Sequence, residues 1–125
     1  MARTFDITGK SGQSYRYTVS EGQPIWPSGG NFLYVKMTKT GPKVIFAGET
    51  ESLFRGFQAR WEEAKSQHGA TDIFLRLNIA GAVRRAECDD IALKHRPPMN
   101  KDLPEDDEPE ARASADEGQG NGAAP

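Results

Sequence analysis

The chain has 125 residues, 36% hydrophobic and 27% charged, which suits one domain. No apolar run approaches the roughly 18 residues of a membrane span, the opening MARTFDITGKSG lacks a signal-peptide apolar region, and a single cysteine, Cys88, excludes an intrachain disulfide, so a cytoplasmic protein with no membrane partner is expected. The net charge of −2 hides an asymmetry: residues 101–125 hold two cations and eight acids (−6), whereas residues 1–100 keep 14 of the 16 Lys/Arg and 10 of the 18 Asp/Glu (+4).

In chain order, Thr4–Thr8 and Ser14–Ser20 are β-prone runs split by the turn cluster Gly9-Lys10-Ser11-Gly12, a hairpin pattern. EGQPIWPSGG is rich in Gly and Pro and reads as a loop. NFLYVKM and KVIFAG, divided by TKTGP, form a second hairpin. From Thr50 the period changes: Leu53/Phe54, Phe57, Trp61, Ala64 and His68 recur at helical spacing, with Thr50 as N-cap and Gly69 as stop. TDIFLRLN alternates Ile73, Leu75 and Leu77 inward as a strand, and Ala82 to His95 reads as a helix ended by Pro97. Residues 101–125 have one leucine, no aromatic and no β-branched residue, and a disordered acidic tail is expected there. The order ββ–ββ–α–β–α–tail gives an α/β fold class, a mainly antiparallel sheet packed with two main helices.

Few groupings carry chemistry. Cys88, His68 and His95 are too few and too scattered for a zinc site. A buried structural thiol is the default for Cys88, a helix C-terminal cation or a packed neutral ring for His68 and a core position for Trp61, while the exposure of Trp26 stays open. Glu87 falls between Val83 and Ile91 at the edge of the apolar arc of its helix, with Asp90 on the same side. A partly buried carboxylate needs a cation; Arg84, three residues earlier, supplies one, and a divalent metal is the alternative.

Several segments, taken in order, resemble the GIY-YIG nuclease superfamily. NFLYVKM is similar to the strand of the first motif, with Tyr34 at its tyrosine. KVIFAGETESL is similar to the second motif, with Phe46-Ala47-Gly48 where Tyr-Ile-Gly is usual. WEEAKSQHGATDIFLRLN resembles the helix and third strand that follow, and RRAECDDIALKHRPPMN the closing signature. The resemblance covers about residues 30–100, making 1–100 a GIY-YIG-like domain with residues 1–22 as an added β-hairpin. It implies that Glu87 holds a divalent metal, Mg or Mn, that Tyr34 is general base, that Arg55 stabilises phosphate and that Asn100 helps to fix the site. Phe46 lacks the expected hydroxyl, and the expected helix arginine aligns with Phe54 or Gly56, on either side of Arg55.

Three functions follow from this reading. One is a nucleic-acid-binding domain, for DNA or RNA, with a partly eroded nuclease site. The second is an active, slow, metal-dependent endonuclease. The third is a protein-interaction module that retains only the scaffold. A basic cleft beside Glu87 would favour the first two, and an exposed apolar patch around Ile25 and Trp26 the third. The acidic tail is expected either to screen the cleft against non-specific phosphate contacts or only to aid solubility.

Overall fold

A computed structural model describes residues 3–100, together with the backbone of a short pairing between Glu117–Gly118 and Asn121–Gly122. The tail expected to be disordered over residues 101–125 lies, that pairing apart, outside the described residues. Five strands, β1 (Thr4–Thr8), β2 (Ser14–Val19), β3 (Gly30–Thr38), β4 (Gly41–Thr50) and β5 (Asp72–Leu77), form one antiparallel sheet in the order β1-β2-β5-β3-β4. The N-terminal hairpin is part of this sheet, joined through Thr18↔Leu75 and Val19↔Phe74. No helix among the described residues is long and apolar enough to cross a membrane.

Alternation along the strands divides the core into two layers. Leu33, Val35, Phe74, Tyr17 and Val19 pack with Ile91 and Ala92 on one face; Phe32, Tyr34, Ile73 and Leu75 pack with Leu53 and Ala64 on the other. A bulge in β4 shifts the register between Tyr34↔Phe46 and Val35↔Val44. The extra residue puts both Ile45 and Phe46 on the second face, while Val44 and Ala47 keep to the first.

The single helix expected from Thr50 to Gly69 is two: α1 (Leu53–Gly56), capped by Ser52 rather than Thr50, and α2 (Trp61–His68). Tyr34 explains the break. Its buried hydroxyl donates to the Phe57 carbonyl at 2.9 Å and accepts from the Arg60 amide at 3.0 Å, occupying the gap between the helices. Gly69 does stop α2, in the left-handed region at φ 72°.

The third helix, α3 (Gly81–His95), is also turned from expectation. Val83 is exposed, and the inward stripe is Arg84, Cys88, Ile91 and Ala92. Arg84 is buried because its charge meets Glu49 at 2.9 Å and its Nη1 donates to the carbonyls of Ile79 (2.7 Å) and Asn78 (3.3 Å). Arg84 is therefore not the partner of Glu87.

The end of α3 and the segment after it tie the sheet edges. His95 Nε2 lies 2.9 Å from the Thr8 carbonyl in edge strand β1, so that nitrogen carries the proton. Met99 donates its amide to the Ile45 carbonyl at 3.1 Å, the bulged position of the other edge strand. The Asn100 side chain then accepts from the Ala47 amide (2.8 Å) and donates to the Ala47 carbonyl (2.9 Å), as a neighbouring strand would. Open edges invite intermolecular pairing, and this segment covers part of one. Replacing Asn100 by Ala should cost about 1–2 kcal/mol in urea unfolding. Asn100→Asp should cost more at neutral pH, because a carboxylate cannot donate to the Ala47 carbonyl it would face; equal losses for Ala and Asp would contradict the two-point contact.

Candidate functional site

On the α3 side of the sheet, alternation along β5 places Phe74, Arg76 and then Asn78 toward the helix, with Asn31 of β3 directly across from Arg76. Glu87 of α3 descends onto this polar row. Its Oε1 accepts from Arg76 Nε at 2.8 Å and from Asn78 Nδ2 at 3.0 Å, and its Oε2 accepts from Arg76 Nη2 at 3.4 Å. The Asn78 amide also donates to Asn31 Oδ1 at 2.9 Å, and fully buried Asn31 donates to the Arg84 carbonyl at 2.9 Å. The Glu87 side chain is 14% exposed and Arg76 28%, so this is a partly desolvated pair with most lone pairs satisfied. The cation is Arg76, eleven residues earlier, not Arg84.

This geometry does not fit a divalent metal. Magnesium needs oxygen ligands in a near-octahedral shell, whereas three N–H donors, two of them on a guanidinium, are aimed at the Glu87 oxygens. No group of three or more His, Cys, Asp or Glu suited to a metal occurs among the described residues.

The other three residues implied by the resemblance lie apart from Glu87. Tyr34 is on the opposite face of the sheet, wholly buried, with its hydroxyl engaged by Phe57 and Arg60. Burial, the dominant effect, pushes that hydroxyl above its ordinary pKa, with Arg60 opposing, which disfavours the deprotonated form a base requires. Arg55 is exposed on α1, which packs through Leu53 on the Tyr34 face. Asn100 has both amide atoms committed to Ala47. Phe46 sits in the aromatic group of Phe32 and Tyr34, with the Arg60 guanidinium 5.1 Å from its ring centre.

A groove of about 500 Å³ opens beside Glu87, between α3 and the β1–β2 turn, and Tyr15, Val83, Glu87 and Asp90 are among its walls. Its lining contains no lysine or arginine. Asp90 holds the turn to the helix, accepting from the Ser11 amide (2.8 Å), the Ser11 hydroxyl (2.7 Å) and the Tyr15 hydroxyl (2.6 Å). Desolvation works to raise its pKa, yet these donors together hold the carboxyl below its ordinary value. Gly9 makes room here: a Cβ would fall on the Asp90 carboxylate and displace it from these donors. Deeper in, burial pushes the Cys88 thiol up to about 12, helped by Asp89 and Glu49, so it is no nucleophile; its sulfur donates to the Ala47 carbonyl at 3.4 Å. The Tyr17 hydroxyl is the one buried side-chain polar atom among the described residues without a hydrogen bond.

Sequence reasoning missed Arg76, Asn78, Asn31 and Glu49 as partners. A signal for two of them was present: Arg76 and Asn78 interrupt the apolar alternation on one face of an otherwise apolar strand. If Glu87 is filled by its own partners, millimolar Mg²⁺ or Mn²⁺ will leave the melting temperature unchanged. A bound ion would instead raise it, by about 2.7 kcal/mol of added stability at a hundredfold excess over its dissociation constant.

No protein-family model matches the chain, and no curated protein or solved structure matches it.

Proposed function

We propose that this domain is a non-catalytic protein-interaction module built on a scaffold that resembles the GIY-YIG nucleases. One observation carries the reading. All five exposed large apolar side chains of the described residues belong to the end of the sheet where β3 begins and β4 and β5 finish: Trp26 (42% exposed), Phe54 (64%), Leu77 (44%), Ile79 (71%) and Val83 (47%). The backbone brings them there. Phe54 donates its amide to the Trp26 carbonyl at 2.9 Å, Gly30 pairs with Leu77, and the Asn78 amide donates to the Gly29 carbonyl at 2.9 Å.

Single exposed apolar residues are ordinary; five gathered at one end of the sheet, on both of its faces, favour an interaction site there. Trp26 and Phe54 are aromatic anchors of the kind that fill a partner's pockets. The nuclease readings have less support: the groove at Glu87 lacks basic residues, and Tyr34, Glu87 and Asn100 all have structural partners.

The test is a comparison of three chains, wild type, Phe54→Asp with Ile79→Asp, and Glu87→Gln, as bait for binding partners and in a Mn²⁺ cleavage assay. Both substituted apolar side chains are exposed, so the double variant should melt like wild type. It should lose a partner that wild type and Glu87→Gln retain, and none of the three should cleave DNA or RNA. Capture unaffected by the double substitution, or cleavage abolished by Glu87→Gln, would overturn the proposal.

A further inference from the structure

The other end of the sheet differs in character. The β3–β4 hairpin carries Lys36, Lys39 and Lys43, all exposed, and Lys36 pairs in register with Lys43. Like charges placed directly opposite each other repel. Six other cations are matched: Arg3 with Glu21, Arg16 with Asp6, Arg60 with Glu63, Lys65 with Glu62, Arg76 with Glu87 and Arg84 with Glu49; Arg55, Arg85 and Lys94 are exposed and form no ion pair with a described carboxylate, but they are spread over α1 and the two ends of α3 rather than gathered on one hairpin. No described carboxylate forms an ion pair with any of the three tip lysines.

We propose that the occupant of this lysine tip is the chain's own acidic run, Glu105-Asp106-Asp107-Glu108 with Glu110. Charge and chain length support it. The run contains five carboxylates within six residues and no cation. It begins five residues after Asn100, which is fastened to Ala47 of the same strand that carries Lys43. Ala47 and Lys43 are about 13 Å apart along a strand that rises ~3.3 Å per residue. Five extended residues span up to about 17 Å and ten up to about 35 Å, so the length of chain after Asn100 is enough for the run to reach the tip. The groove beside Glu87, where screening was expected, shows the run only Glu87 and Asp90 as charged walls and repels it. The apolar end offers Arg55 but also Glu49 and Glu51 nearby in sequence. Each exposed pair is weak and salt-screened, but tethering gives the run a local concentration around the millimolar range. The contact is therefore reversible and weakens as salt rises.

The experiment uses the full chain and a full-chain variant with Glu105→Gln, Asp106→Asn, Asp107→Asn, Glu108→Gln and Glu110→Gln. Backbone amide NMR shifts of Lys36, Thr38, Lys39, Thr40 and Lys43 should differ between the two at low salt and converge near 0.5 M salt. Carbodiimide treatment of wild type at low salt should join a tip lysine to residues 105–110. Identical tip shifts at low salt, differences centred on Ser11, Tyr15 and Glu87 instead, or differences that survive high salt would each overturn the proposal.

Discussion

A carboxylate pressed against a sheet must be matched, and the rest of this site follows from how Glu87 is matched. An isolated ionised carboxylate in a partly dry position costs far more than the domain's net stability allows. Arg76 and Asn78 resolve the problem from the sheet, and Asn31 extends the network to the first turn of α3. The network fixes how α3 sits, and that placement in turn buries Arg84 against Glu49 and exposes Val83. A helix turned otherwise would leave Arg76 unpaired beneath it. Breaking one partner of such a pair is costly, whereas an apolar pair of similar volume is often neutral.

The two-residue period of β3 supplies the second constraint. Asn31, Leu33 and Val35 face α3, and Phe32 and Tyr34 face α1 and α2. A tyrosine at position 34 and a carboxylate on α3 are thus separated by the sheet. The Tyr34 hydroxyl instead joins two helices, a task that a phenylalanine could not perform.

Much of the fold was legible in the sequence. The strands of both hairpins, β5 and α3 fall within a few residues of their expected places, because β-branched and aromatic runs bounded by Gly, Pro and Ser leave few alternatives. What was not legible depended on tertiary contact. The α1–α2 break is made by a side chain from β3, and no local signal at 57–60 announces it. The face of α3 was misjudged because Val83 was placed on its apolar arc and Arg84 was assigned to Glu87. Arg84 instead turns inward and Val83 outward, because Glu49, 35 residues earlier, is in reach of Arg84. The ion-pair partner of Glu87 depended on strand order, which places β5 between β2 and β3. The exposed apolar end was legible only as a Gly/Pro-rich loop around Trp26, since its other members come from α1, the end of β5, the loop after it and α3.

The central claim is that Glu87 serves Arg76 rather than a metal, and a double-mutant cycle measures this directly. Glu87→Gln, Arg76→Gln and the double variant should give a coupling of about 1–3 kcal/mol in urea unfolding, within the range for residues in direct contact. A coupling near zero, with Glu87→Gln no less stable than wild type, would contradict the account and return Glu87 to the list of free carboxylates.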